Sequence, residues 1–320
     1  MSNLEPVEIA QTSRIGRTGW ARRLDRLGFA ACLGLGVGVG LDFALAGTVP
    51  FDTSAYWGAS NIAHLYPQVW NTDAVFIYPP PLAMVLAPFH VIGWPAFVFA
   101  WTFLLFMAVW VAARAWTLPA LLIAGVPALL LGSSWFAFGL VFYPVIGNIQ
   151  PLIAAAMLLS FRWPALWAFV LLTKIGPGVG VLWFAFRREW RSFGIAMGAT
   201  ALLAAITFVI APGAWRDFVT FALANYSTPS PVPVVPIPFL VRLAMSIALL
   251  WWGARTDRAW TVPIAAGWAS LALYDWSFLP IWIAALPLWW AGRHPEVGLL
   301  RRSPTAAAAA PLPATPSLEA

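Results

Sequence analysis

The residues with the clearest chemical potential are a lysine and an aspartate. Lys174 is the only lysine of the 320 residues, and it lies in LLTKIGPG (171–178), within a stretch apolar enough to span a membrane. Ionisable residues inside membrane segments are costly and by default indicate function. Asp52 follows the first apolar segment, with Tyr56 four residues later on the same helical face. The carboxylate is a candidate base, and the structural alternatives are a carboxylate capping a surface helix and a lysine that snorkels or pairs.

The composition indicates a membrane protein. Hydrophobic residues make up 61% of the chain and charged residues 9%, against about 25% charged residues in soluble domains. We therefore predict an all-α polytopic membrane protein, a helix bundle with about eight to ten membrane segments. The net charge of +6 lies in arginine clusters between apolar spans, which favours an orientation signal over nucleic-acid binding. The single Cys32 excludes an intrachain disulfide, and the sequence contains no zinc-type Cys/His cluster or glycine-rich nucleotide motif.

The arginine clusters predict the course of the chain, because basic residues stay on the cytoplasmic side. A cytoplasmic basic N-terminus (1–26), with residues 1–20 expected to be loose, precedes a membrane domain at 27–292 and a disordered Ala/Pro tail at 303–320. The first span, 27–49, could pass for a signal peptide but is interpreted as uncleaved. The other predicted segments are an outside loop with a short surface helix at 50–94, spans at 95–113, 119–140, 150–161, 193–212, 237–254, 259–273 and 277–291, and a Pro-rich outside loop that ends near 236.

The segment 163–186 lies between two cytoplasmic positions, Arg162 and Arg187, and is interrupted by Gly176 and Pro177. We interpret it as a hairpin of two half-helices with TKIGPG at its tip. A single straight helix is the alternative, and it would invert the orientation of every later segment. With the hairpin, four acidic residues fall on the outer side with the Lys174 tip: Asp52, Asp73, Asp217 and Asp275.

A series of short motifs follows in order between roughly residues 27 and 291. They are Asp52 with Tyr56, Leu65-Tyr66, Tyr78-Pro79-Pro80, Gly147-Asn148-Ile149-Gln150, and Lys174 with Pro177 before Arg187-Arg188. This series resembles glycosyltransferase family 87, a family of polyprenol-phosphate-sugar-dependent, mannosyltransferase-like membrane proteins. Many members of that family also carry a Ser-Pro and a histidine before the last span, where this chain has LYDWSFLP (273–280).

The resemblance implies the C-type glycosyltransferase architecture, in which the first outside loop places a catalytic carboxylate above a lipid-lined cavity. The implied donor is a sugar, with mannose expected, on a polyprenyl phosphate, and the acceptor is a lipid or glycan on the outer face of a cell inner (plasma) membrane. Asp52 would be the general base, and Lys174 would hold the phosphate on which negative charge develops. Arg242 would assist Lys174 or anchor to lipid headgroups. The implied substrate-binding residues are Tyr56, Asp73, Tyr78, Asn148, Gln150 and Asp275.

Other candidates and other classes carry less support. His64 and His90, in the outside loop, fit interfacial packing better than substrate contact. No cofactor is expected, although the sequence leaves a divalent metal open, and the expected partners are the donor, the acceptor and the bilayer. A secondary transporter is one alternative, because broken helices around a midplane charge are typical of that class, but no inverted repeat is evident. A catalytically degenerate scaffold is the other, and the missing histidine favours it.

Overall fold

The computed structural model describes residues 6–59, 65–66, 75–122, 141–225, 235–271 and 279–294. All regular structure in these ranges is helical, and three of the helical segments are long and apolar enough to cross a membrane: Gly19–Ala46, Trp94–Leu122 and Trp190–Ile210. The prediction of an all-α polytopic membrane protein is confirmed. The helices are α1 (Pro6–Ala46), α2 (Phe51–Gly58), α3 (Pro80–Leu86), α4 (Trp94–Ala113), α5 (Tyr143–Ile146), α6 (Gln150–Ser160), α7 (Trp167–Leu171), α8 (Leu182–Phe186), α9 (Trp190–Ile210), α10 (Pro212–Asn225), α11 (Phe239–Arg255), α12 (Thr261–Trp268), α13 (Leu279–Trp282) and α14 (Ala285–Arg293).

Most predicted spans coincide with a helix to within a few residues, but several differ. The expectation that residues 1–20 are loose is wrong for 6–20, which belong to α1. The predicted spans 259–273 and 277–291 are broken, since α12 ends at Trp268 and the last span consists of α13 and α14. Helix α10 occupies much of the predicted Pro-rich outside loop. Residues 123–140 of one predicted span and the tail at 303–320 lie outside the described residues, and the count of eight to ten segments stays a prediction.

Helices α1 and α4 pack against each other through glycines of α1. A Cβ on Gly36 would lie 3.3 Å from the Phe103 Cα, and one on Gly40 would lie 3.2 Å from the Phe99 carbonyl oxygen. Small residues allow such close approach between membrane helices, where van der Waals packing drives association. At the other end of the pair, the Trp110 indole donates to the Asp25 carboxylate at 3.1 Å. The two helices are therefore antiparallel.

The segment 163–186 folds back on itself. Its first arm contains α7 and its second arm a 3-10 turn at Pro177–Val181 followed by α8. The arms are in close contact, because a Cβ on Gly178 would lie 3.2 Å from the Leu171 Cγ and one on Gly180 would overlap the ring of Trp167. At the base, Trp183 contacts Phe161, which directly precedes the first arm, with ring centroids 6.1 Å apart. The predicted hairpin is confirmed, and the straight-helix alternative is wrong.

These contacts define two ends of the bundle. The arginine end contains the hairpin base, where Arg187 pairs with Glu189 at 2.8 Å and with Asp257 at 2.5 Å. The Asp52 end contains the starts of α2, α4 and α6. The tip of the hairpin, 172–176, therefore points away from the arginine end, toward the Asp52 end. The hairpin thus brings Lys174 near the polar residues of α2, although neither of its arms is a helix that crosses the whole bundle.

Helix α9 lies at the periphery of the described structure. Most of its apolar side chains are exposed, Val209 at 80% and Leu202 at 61% among them. A helix that is apolar on all sides and little buried by protein is suited to a lipid environment. The buried aromatic core instead lies around α2, α4, α6 and the hairpin, where the candidate site is found.

Candidate functional site

Asp52 is the second residue of α2 and is half-buried. Its Oδ2 accepts a hydrogen bond from the Asn148 Nδ2 at 2.7 Å, across 96 residues of sequence. Burial raises the pKa of this carboxyl, while the Asn148 bond and the positive charge of Lys174 act in the opposite direction. The carboxylate therefore has a higher proton affinity than a solvated aspartate, and its ionised form is held by two specific neighbours.

The Asn148 amide is oriented by its own loop. Its Oδ1 accepts a hydrogen bond from the backbone N–H of Gln150 at 3.0 Å, at the start of α6. Because the oxygen of the amide is used there, the NH₂ group faces Asp52. Asn148 thus connects the first turn of α6 to the first turn of α2 and leaves the second carboxylate oxygen of Asp52 for another donor.

Gly147 makes this close approach of the two turns possible. Its φ is +87°, in the left-handed region that glycine adopts without steric cost. A Cβ at this position would overlap the Thr53 hydroxyl and lie 2.7 Å from the Thr53 backbone nitrogen. The Gly147 carbonyl accepts from the Trp101 indole at 2.8 Å, which attaches the loop to α4. Sequence reasoning missed Trp101 and Thr53, since nothing in their local sequence marks them.

Two buried tyrosines form the wall beside Asp52. The Tyr56 hydroxyl donates to the Tyr78 hydroxyl at 2.9 Å, and the rings are stacked with centroids 5.6 Å apart. The backbone N–H of Ile149 bonds to the Tyr56 oxygen, and the pKa of Tyr56 is raised by burial first and by its neighbours Tyr78 and Asp52 next. Both hydroxyls therefore stay protonated, and the hydrogen bond between them fixes the orientation of the two side chains.

Lys174 lies at the hairpin tip and is half-buried. Its backbone N–H donates to the Val170 carbonyl at 2.8 Å, so it belongs to the last turn of the first arm. Its charge acts on Asp52, yet the ion pairs found within the described residues involve Arg187, and none joins Lys174 to Asp52. The cation and the carboxylate thus interact electrostatically without forming an ion pair.

The other predicted site residues have different positions. Gln150 is buried at 6% exposure, and its side-chain oxygen has no hydrogen-bond partner within the described structure. Arg242 is 2% exposed and bonds to backbone carbonyls. His90 stacks on Trp57 with ring centroids 4.4 Å apart, which agrees with interfacial packing. Asp73, Asp275 and His64 lie outside the described residues.

Within the ranges that the structure describes, no group of three or more His, Cys, Asp or Glu residues could hold a metal ion. The polar groups that converge at the Asp52 end are instead one carboxylate, one amide, two phenols and one ammonium. Such a set can remove a proton from a hydroxyl and bind an anion.

Comparison with known proteins gives one match. The family model of glycosyltransferase family 87 matches residues 76–312, which include Tyr78, Asn148 and Lys174 and begin after Asp52. No curated protein and no solved structure shows a significant match to the chain. Together with its apolar helices, this match over more than half of the chain establishes that the protein belongs to glycosyltransferase family 87 and indicates a membrane glycosyltransferase.

Proposed function

We propose that this protein transfers a sugar, with mannose expected, from a polyprenyl-phosphate donor to a hydroxyl of a lipid or glycan acceptor. The observation that carries the proposal is the Asp52 carboxylate, whose one oxygen is held by Asn148 and on which the charge of Lys174 acts without an ion pair between them. The family supports the transfer of a sugar. The donor class follows from the motifs that the chain shares with that family.

In the proposed reaction, Asp52 is the general base. Its Oδ2 is occupied by the Asn148 amide, so its Oδ1 accepts the proton of the acceptor hydroxyl. The acceptor oxygen then forms a bond to the anomeric carbon as the bond from that carbon to the phosphate oxygen breaks. The raised pKa of Asp52 makes it a stronger base than a solvated aspartate, and base catalysis of this type contributes about 10²- to 10⁴-fold.

Lys174 holds the phosphate that leaves. The departing polyprenyl phosphate gains negative charge, and a preformed cation stabilises that charge best where water is scarce. Two features support this role: the position of Lys174 at the hairpin tip and the absence of an ion pair with Asp52. An ammonium paired with a carboxylate would bind an anionic substrate more weakly.

The remaining residues shape the site. Tyr56 and Tyr78 form its wall. The buried side-chain oxygen of Gln150, which has no hydrogen-bond partner within the described residues, is proposed to accept a hydrogen bond from a sugar hydroxyl. Asp73 and Asp275 stay proposed substrate ligands on sequence grounds. We place the protein in the cell inner (plasma) membrane, with its N-terminus cytoplasmic and its Asp52 end outward, on the distribution of arginines.

The test is a membrane assay with radiolabelled polyprenyl-phosphate sugars, comparing wild type with Asp52→Asn. Asparagine keeps the shape but not the basicity, so transfer of label should fall about 100-fold or more at equal folded protein. Asp217→Asn is the matched control, since Asp217 is exposed on α10 and should leave transfer unchanged. Transfer by Asp52→Asn near the wild-type rate would remove Asp52 from this role.

The hairpin itself favours one second candidate, because secondary transporters place broken helices around a charged site. A transporter would move a solute across sealed vesicles without changing it. A catalytically degenerate scaffold would keep its cellular function in Asp52→Asn. Label that appears on an acceptor in wild type but not in Asp52→Asn excludes both alternatives.

A further inference from the structure

Arg242, in the first turn of α11, has a buried guanidinium whose partners are all backbone carbonyls. It donates to Ile237 at 3.0 Å, to Trp268 at 2.9 Å, to Ser270 at 2.6 Å and to Leu271 at 3.0 Å. These bonds occupy the Nε and both terminal nitrogens. A guanidinium has five N–H donors, so these four bonds leave one N–H, and a bidentate contact with a phosphate would require Arg242 to release at least one of these carbonyls.

Three of these carbonyls belong to the end of α12 and the turn that follows it. The last carbonyls of a helix have no partner within the helix, and a cation at a helix C-terminus is favourable. Arg242 therefore caps α12 from a neighbouring helix. We call the residues that it holds, 268–271, the capped turn.

The capped turn is also the surface on which the hairpin tip rests. A Cβ on Gly176 would lie 3.1 Å from the Ser270 Cα and from the Ala269 carbonyl carbon, and it would overlap the Ala269 carbonyl oxygen. Lys174 precedes Gly176 by two residues and is bonded to Val170 through its backbone. A shift of the capped turn would therefore reach Lys174 through the backbone at Gly176, two residues further along the chain.

We propose that Arg242 is a positioning residue: by fixing the capped turn it sets, through Gly176, where the Lys174 ammonium stands relative to Asp52. On the substrate side this rests on the proposed role of Lys174 in phosphate binding. Arg242 replaces no catalytic group and touches no substrate. Its influence is on the geometry of the phosphate site, and hence first of all on donor use.

The first experiment measures KM for the polyprenyl-phosphate sugar and kcat at matched folded protein. Arg242→Lys keeps a charge but loses the planar fork, so the turn should shift and KM should rise about tenfold, since small misplacements near a reacting group have large effects. Because the charge of Lys174 lowers the pKa of Asp52, the acidic limb of the pH profile should move to higher pH as the ammonium moves away from the carboxylate. Arg255→Met is the control at the other end of the same helix, where the side chain is exposed, and it should change neither constant.

The decisive comparison repeats Arg242→Lys in a Lys174→Met background. Because Arg242 acts through Lys174, KM should then change no further. An equal fold-change in both backgrounds would overturn the proposal, as would an unchanged KM in Arg242→Lys alone.

A second measurement keeps the two proposals separable. Gly176→Ala disturbs the same contact from the hairpin side, so its effect on the thermal unfolding midpoint should be non-additive with that of Arg242→Lys. Additive effects would show that the contact transmits nothing and would overturn the positioning role. If Lys174→Met alone leaves donor use unchanged, the phosphate role fails, and the unfolding midpoints still decide whether Arg242 and Gly176 act as one unit.

Discussion

Replacing Asn148 by leucine should shift the pH dependence of transfer. The substitution removes the 2.7 Å bond from the Asn148 amide to Asp52 and keeps a side chain of similar size. That bond holds the ionised carboxylate, so its loss raises the pKa of Asp52 beyond the increase that burial already causes. The base is active only when ionised, and the acidic limb of the profile should therefore move to higher pH.

The size of the shift follows from the bond. A hydrogen bond to a charged group contributes about 1.5–3 kcal/mol, and one pKa unit corresponds to about 1.36 kcal/mol. Asp52 is half-buried, so solvent screening favours the lower end of this range. We expect the acidic limb of the profile to move to higher pH by about one pH unit, with much of the wild-type rate recovered at high pH.

The assay measures kcat/KM for label transfer between pH 4 and 9, because the pH dependence of kcat/KM reports the pKa of the base in the free enzyme. Asp217→Asn, whose side chain is exposed on α10, should give the wild-type profile. A profile for Asn148→Leu that is lower at every pH but unshifted would refute the reasoning, because it would mean that the amide does not act on the ionised form of Asp52.

Three further predictions concern the hairpin tip, the glycine loop and the orientation. Lys174→Met should fold normally but use the donor poorly. Lys174→Arg should retain part of the activity, because the charge remains but its shape changes from a point to a planar fork. Donor binding by Lys174→Met equal to that of wild type would exclude the phosphate role. Gly147→Ala adds a Cβ to a residue of left-handed backbone conformation in contact with α2. It should therefore lower the free energy of unfolding by more than ~1 kcal/mol, and an unchanged thermal unfolding midpoint would contradict the described contact. In a Cys32→Ser background, cysteine at Thr220 should react with an impermeant thiol reagent added outside and cysteine at Ser192 should not; the reverse pattern would invert the proposed orientation.

The parts of the fold that the sequence could predict are those with a local or periodic signal. The hairpin was predictable because Arg162 and Arg187 flank a segment that the helix breakers Gly176 and Pro177 interrupt. Counting the membrane crossings from this hairpin then placed Asp52 and Lys174 on the same side. Both inferences rest on the cost of charge and of broken helices in a bilayer.

The parts that could not be predicted depend on contacts between distant residues. The bond from Asn148 to Asp52 spans 96 positions, and the motif around Asn148 marks the loop but not its partner. For Arg242 the sequence left two ligands open, the donor phosphate and a lipid headgroup, because an arginine near the end of a span fits either. Only the path of the backbone through Ser270 and Leu271 shows what its guanidinium binds.

The hairpin has a consequence for how the protein is built into a membrane. Because Phe161 and Trp183 meet at the same end, the segment between them contributes an even number of traverses, and the orientation of α9 to α12 is the same as if the segment were deleted. We therefore expect the segment that carries Lys174 to enter the membrane from the side of its own arginines and to return to that side. Variants at the tip are then expected to alter chemistry without altering topology.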